Sequence, residues 1–295
     1  MAQTIEIEDE KYPKLLKEIG SRAPKKLYYK GNWDNDIFEN CLAVVGSRHL
    51  TNYGRRITEQ LVTELAGAGI TIVSGFMYGG DEAAHSATVR VGGRTIAVMP
   101  CGIDIIHPAY QEKLYNDILK GRRPGGHPGR PGLIISEYEG DFLPQTWSYV
   151  QRNRIVAGLS KAILIVEASL NSGSLITASL AKRYSRKIFA VPGQITSEVS
   201  KGTIKLIKEG AEVVTGARDI LEYYNISCSL PNLAKPNLNI GREEQKIIEQ
   251  LKREPMEADT IARTLGVSVA KIGTTLSLMQ LKGFINQESG KYYVN

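Results

Sequence analysis

A chain of 295 residues, 42% of them apolar, is long enough for one large and one small buried core, and its formal charge of +6 favours a polyanionic partner without locating one. Three cysteines without paired spacing (Cys41, Cys101 and Cys228) exclude a disulfide framework and fit isolated thiols in a reducing compartment. The opening MAQTIEIEDEKYPK has no signal-peptide pattern and no apolar run approaches membrane-spanning length, so a cytoplasmic location with no membrane partner is expected.

Residues 1–40 read as a short N-terminal segment. From Cys41 the pattern is strand, glycine turn, helix: CLAVVGS (Cys41 to Ser47) reads as a buried strand entering a turn, and Tyr53 to Ala66 as a helix. The unit recurs with a strand at Ile70 to Ser74 and a helix around Asp81 to Val91, then a strand at Thr95 to Met99 and a helix near Tyr110 to Leu119. Further strands are expected at Leu133 to Ser136, Ala162 to Val166 and Lys187 to Val191, with helices between them. This alternation predicts an α/β fold: a Rossmann-like, mostly parallel sheet over residues 41–226 with helices on both faces and a ligand crevice at the carboxyl ends of the strands.

Between Lys120 and Gly132 the sequence KGRRPGGHPGRPG predicts a mobile basic arm, with Arg122, Arg123 and Arg130 as secondary phosphate contacts or as a tolerated surface insertion. Pro231, Pro236 and several asparagines mark an extended linker over 227–240. In residues 241–295, helices at Glu243 to Leu251, Glu257 to Leu265 and Ser268 to Leu281 precede two short strands around Ser289-Gly290, the order of a winged helix.

Four stretches carry candidate chemistry. Gly46-Ser47-Arg48 joins the first strand to the first helix, where backbone NH groups, a hydroxyl and a guanidinium suit a phosphate. The loop from Ser74 to Gly80 offers Gly75, Gly79 and Gly80 for close backbone approach and Tyr78 as a flat surface for a base, or simply as packing. Asn171-Ser172-Gly173-Ser174 opens a helix as a second anion cradle, with either serine equally able to serve as a cap. Arg152, Asn153 and Arg154 suit phosphate contacts, with Trp147 and Tyr149 nearby for base stacking; an internal salt bridge to Glu137 or Glu167 is expected for one of the arginines.

Seven ordered segments resemble the DNA-processing protein A (DprA/Smf) family: Tyr12 to Asn32, Val45 to Arg48, Ser74 to His85, Cys101 to Pro108, Ile135 to Ser160, Val166 to Ala178 and Ala190 to Thr203. The resemblance implies a protein that binds and protects single-stranded DNA and helps load the RecA recombinase during DNA uptake and recombination, as a homodimer, without a cofactor or enzymatic activity. It points to Ser47, Arg48, Gly75, Arg152, Arg154 and Ser172 through Ser174 as backbone contacts. Tyr78, Gly79 and Gly80 stand where the family commonly has a basic residue, glycine and isoleucine, His107 replaces a tyrosine, and Ile204 an asparagine. The basic arm is expected to supply the charge that Tyr78 lacks, and the helical module that many relatives carry ahead of the sheet is expected to be absent. In the winged helix, Ser268 to Leu281 would be the groove-entering helix, offering Lys271, Thr274 and Thr275. Eight basic against seven acidic residues from Gly241 onward make protein contact or dimer support at least as good a role for it.

A nucleoside monophosphate phosphoribohydrolase is the rival reading, with Asp81, Glu82 and His85 as acid and base. A capping aspartate and a packed histidine explain two of them more simply, and Pro192-Gly193 continues as Gln194-Ile195 rather than as the signature of those hydrolases. A nucleotide-sensing winged-helix regulator is a third reading. His49, His85, His107 and His127 form no metal-ligand spacing with a cysteine, and no glycine turn ends in the glycine-lysine-serine/threonine of a P-loop.

Overall fold

Strands buried on both faces need side chains that are apolar on both. In the computed structural model, which describes residues 2–226, 241–288 and 290–294, the apolar runs meet that need. The chain opens with β1 (Gln3–Glu6), α1 (Lys14–Lys17) and β2 (Lys26–Gly31). Then come β3 (Cys41–Val45), α2 (Asn52–Gly67), β4 (Thr71–Ser74), α3 (Gly80–Val91), β5 (Thr95–Val98), α4 (Glu112–Lys120) and β6 (Leu133–Ser136). The remainder of this unit is α5 (Thr146–Leu159), β7 (Ala162–Ile165), α6 (Gly173–Arg183), β8 (Lys187–Ala190), α7 (Lys201–Lys208), β9 (Glu212–Val213) and α8 (Ala217–Tyr223).

The two-residue period of β3 divides its side chains between two cores. Cys41, Ala43 and Val45 pack with Leu16 of α1 and Ile19 just after it, with Ile155, Val156 and Leu159 of α5, and with Ala178 and Ala181 of α6. Leu42 and Val44 face Leu61, Val62 and Leu65 of α2, Ala84 and Ala87 of α3, and Ile220 and Leu221 of α8. At about 1.5–3 kcal/mol for each large aliphatic side chain removed from water, these two layers supply the main drive for folding.

The nine strands run in the order β1-β2-β6-β5-β4-β3-β7-β8-β9. From β6 through β9 every neighbour pair is parallel, whereas β2 lies antiparallel to β6 and β1 antiparallel to β2. Strand order reverses between β3 and β7, so the topological switch point, where ligands of such sheets bind, lies at the carboxyl ends of these two strands.

Two expectations are corrected. Residues 1–40 do not merely precede the sheet; they build its antiparallel edge, and α1 seats on α5 at Gly158, where a Cβ would lie 2.8 Å from Leu16 Cδ1. The strand Lys-Leu-Tyr-Tyr-Lys-Gly buries Leu27 completely but leaves most of its other side chains half-buried, a weaker signal than the central runs. The arm at 120–132 lies between the end of α4 and the start of β6, at the amino ends of the strands, the edge opposite the switch point. Backbone hydrogen bonds tie it down: Arg130 N–H donates to Gly92 O at 3.1 Å, Arg123 N–H to His127 O at 2.9 Å and Gly132 N–H to Ile118 O at 2.8 Å. Arg122, Arg123 and Arg130 are therefore placed at the edge of the sheet away from Tyr78.

The second unit holds α9 (Arg242–Leu251), β10 (Met256–Glu257), α10 (Ala258–Leu265), α11 (Val269–Leu281), β11 (Ile285–Glu288) and β12 (Lys291–Val294). Its antiparallel sheet, ordered β10-β12-β11, and a core of Ile247, Leu251, Ile261, Ile272, Leu276, Met279 and Ile285 make it the expected winged helix. The linker expected at 227–240, and Cys228 with it, lies outside the described residues.

Candidate nucleic-acid interface

Loops leaving β3, β4 and β7 meet the amino-terminal half of α5 around a cleft of about 440 Å3 at the switch point. Gly46, Ser47, Arg48, Gly75, Tyr78, Arg152, Asn153, Ser172, Gly173 and Ser174 all line it. Glycine is required where the loops touch one another. A Cβ on Gly80 would lie 2.9 Å from Gly46 Cα, and one on Gly79, at φ 79°, would lie 2.4 Å from the Ser47 and Arg48 carbonyl oxygens. The Gly80 N–H donates to Ser47 O at 3.1 Å, so the first two loops are fastened into one surface.

The amino end of α2, the usual phosphate seat of a Rossmann-like fold, is filled from within. Glu167, 3% exposed, accepts from Thr51 N–H at 2.9 Å and from the Thr51 hydroxyl, while that hydroxyl also caps Gly54 N–H at 3.1 Å. A Cβ on Gly54 would lie 2.4 Å from Glu167 Cδ, so this helix has a glycine in its first turn to admit the carboxylate. The negative charge satisfies the positive end of the helix dipole and closes that seat to an external phosphate.

Beneath the cleft lies a buried polar group. Arg152, 5% exposed, donates from Nη1 to Val98 O at 2.6 Å and pairs through Nη2 with Asp81 at 3.9 Å, leaving Nε without a partner among the described residues. Asp81 also accepts from the Ser74 hydroxyl at 3.0 Å; burial raises its pKa, and the Arg152 charge and that hydroxyl oppose the rise. Gly75 is small because the pair packs under it: a Cβ there would lie 2.0 Å from Arg152 Nη1 and 2.2 Å from Asp81 Oδ2. Neighbouring His85 is fully buried with both ring nitrogens engaged, Nδ1 with Thr95 Oγ1 at 2.7 Å and Nε2 with Gly75 O, and burial lowers its pKa to about 4.

At the mouth stands Arg48. Its side chain is exposed, no carboxylate forms an ion pair with it among the described residues, and its guanidinium carbon lies 5.2 Å from the Tyr149 ring centre and 5.9 Å from that of Tyr78. Two aromatic faces hold the cation while leaving its N–H fork open. Tyr149 is fixed in turn by His107, its hydroxyl 2.8 Å from Nε2, so the histidine that departs from the family pattern steadies the ring beside Arg48. Across the cleft, Ser172 caps α6 by accepting from Ser174 N–H at 3.3 Å, and the two hydroxyls lie 2.5 Å apart.

Arg154 is not brought to this cleft. Residues two apart on a helix point about 200° apart, and on α5 this sends Arg154 to a separate groove, where it pairs with Glu137. Lys271 lies in the winged-helix unit and is paired with Glu243, and Lys282 with Glu244. Glu167 as the cap of α2, Asp81 as the partner of Arg152, and the cations of the second groove were missed from the sequence. A threonine three residues ahead of a glycine, as at Thr51 and Gly54, is the local pattern by which a capped helix start could have been recognised.

Among the described residues no cluster of histidine, cysteine, aspartate and glutamate is arranged to hold a metal ion, and no helix is long and apolar enough to cross a membrane. The family profile described as DNA recombination-mediator protein A matches residues 3–225, and that of the DprA winged helix domain matches residues 232–291. The chain belongs to the DprA/Smf family. The DNA processing protein DprA of Streptococcus pneumoniae is 39% identical over 72% of this chain and 71% of its own length. Protein Smf of Synechocystis is 32% identical over 97% of this chain and 78% of its own. The X-ray structure of the S. pneumoniae protein superposes with a TM-score of 0.68 at 38% identity, covering 75% of this chain and 73% of that one. A structure of DNA processing protein A from Helicobacter pylori, described for its single-stranded DNA binding mode, superposes with a TM-score of 0.64 at 32% identity, covering 76% and 96%. Within this DprA/Smf framework the switch-point cleft is a concave surface that brings together Gly46 to Arg48, Gly75, Arg152, Asn153 and Ser172 to Ser174.

Proposed function

We propose that this chain binds single-stranded DNA in the switch-point cleft, with Gly46, Ser47, Arg48, Asn153 and Ser172 through Ser174 meeting phosphates and Tyr78 and Tyr149 offering faces to bases. The observation that carries the reading is Arg48: an exposed guanidinium without a carboxylate partner among the described residues, held between two tyrosines at the rim of a glycine- and serine-lined cleft. A guanidinium fork beside aromatic faces is the combination that grips an unpaired strand regardless of its sequence. The H. pylori relative, described for its binding of single-stranded DNA, supports the same ligand. Arg152 and Gly75 act here by shaping the cleft from beneath.

Family membership supports a role as a recombination mediator, with RecA recombinase as the protein partner and a homodimer in the cytoplasm as the working form. Binding rather than catalysis is favoured by His85, fully buried with both ring nitrogens engaged and so closed to a substrate, and by the pairing of Asp81 with Arg152. The experiment is a gel-shift comparison of single-stranded and duplex DNA at two salt concentrations. Preference for the single strand, with affinity falling steeply as salt rises, is expected; equal or stronger duplex binding would overturn the reading.

A further inference from the structure

A second groove, of about 800 Å3, lies beside the cleft and shares two lining residues with it, Val150 and Ile176. Consecutive faces of α5 set the division. Tyr149, Arg152, Asn153 and Val156 line the cleft, whereas Gln151 and Arg154 line the groove, and Val150 forms the divide with Ile176 of α6. The far wall comes from the N-terminal residues that sequence reasoning left outside the sheet: Ser21, Arg22, Ala23, Lys25, Lys26 and Tyr28.

The groove's charge is one-sided. Arg22, Lys25, Lys26 and Arg154 line it against a single carboxylate, Glu137, which is taken up by Arg154. Lys26 makes a long pair, 3.8 Å, with Glu6, and its ammonium lies 5.6 Å from the Tyr28 ring centre. Arg22 and Lys25 are exposed and have no ion-pair partner among the described residues. Val150 and Ile176 on the divide are 46% and 41% exposed, apolar surface over which a base can pass while its phosphates stay with the cations on either side.

We propose that the DNA strand held in the cleft continues over Val150 and Ile176 into this groove, where Arg22 and Lys25 bind its phosphates as a second subsite. The proposal rests on the reading of the cleft as the single-strand site. A short oligonucleotide fills the cleft alone, and a longer one engages both subsites. The occupant is a strand with phosphates at regular intervals rather than an isolated anion, because the exposed cations are spread along a groove instead of converging on one point.

The test uses oligothymidylates of about five and about twenty nucleotides, with fluorescence anisotropy across a salt series that includes about 0.15 M, where the field of exposed charges is screened within about 8 Å. The full-length R22A/K25A variant is compared with wild type at each length. The expected result is a loss of about tenfold for the long strand, with a salt slope smaller by about 1.4, reflecting two lost phosphates at about 0.7 each, and no change for the short strand. Arg48→Ala should weaken both lengths. If Arg48→Ala changes neither, the cleft reading falls and the second subsite with it. If Arg48→Ala weakens both while R22A/K25A weakens neither, or weakens both to the same extent, the second subsite alone is overturned.

Discussion

Placing an alanine at Gly54 should cost stability in the native chain and restore it once Glu167 is removed. In a helix, Gly→Ala normally stabilises by about 1 kcal/mol. Here the added Cβ would lie 2.4 Å from Glu167 Cδ and 2.5 Å from Oε2, and that carboxylate cannot retreat without leaving the Thr51 N–H and hydroxyl. Charge-assisted hydrogen bonds contribute about 1.5–3 kcal/mol each, so displacing the carboxylate outweighs the helical gain and leaves Gly54→Ala less stable by about 2–4 kcal/mol. Glu167→Ala alone should cost about 3 kcal/mol, because it strips the buried helix start of its acceptor. In the Glu167→Ala background the clash is gone, and Gly54→Ala should become neutral or stabilising by up to about 1 kcal/mol. Both tryptophans, Trp33 and Trp147, lie in the sheet-bearing unit, so urea unfolding followed by their fluorescence reports on that unit alone. A Gly54→Ala effect equal in the two backgrounds to within about 0.5 kcal/mol would refute the reasoning.

Arg152→Met should lower stability by about 3 kcal/mol by leaving Asp81 buried without its partner, and adding Asp81→Asn should recover part of it in the same urea assay; a single variant as stable as wild type contradicts the buried pair. His85, held near a pKa of 4 instead of 6.5, resists protonation in the fold while the unfolded chain accepts the proton. Its contribution is therefore full above pH 6.5 and is lost as pH falls towards 4, by about 3 kcal/mol at about 1.4 kcal/mol per pH unit. Unfolding midpoints at pH 7 and 4.5 should show a shallower loss in His85→Asn than in wild type, and an equal loss in both would contradict this.

The parallel core was legible because its strands are continuous apolar runs and its helices repeat in step with them; Cys41 to Val45 and Leu133 to Ser136 need no tertiary context to be recognised. The edge strand at Lys26 was not, because a half-buried strand of lysine and tyrosine becomes a strand only by pairing with β6. In the cleft, the glycines, serines and Arg48 were recognised from their places after strands. What the glycines approach was not: Gly79 and Gly80 meet the preceding loop, and Gly75 meets Arg152, contacts between residues distant in sequence. Arg152 and Arg154 read alike in the sequence, and only the helical turn of α5 sends one under the cleft and the other into the neighbouring groove. The basic arm read as a partner of the site because sequence proximity does not reveal at which end of the strands a loop falls.

Single-strand binding in the switch-point cleft is read out by the affinity of Arg48→Ala for single-stranded DNA across a salt series. Arg48 is exposed and bears no ion pair among the described residues, so its removal should leave the unfolding midpoint unchanged. Affinity should fall by about tenfold or more and the salt slope should shrink by about 0.7, the loss of one phosphate contact. Unchanged affinity with an unchanged slope would contradict the account.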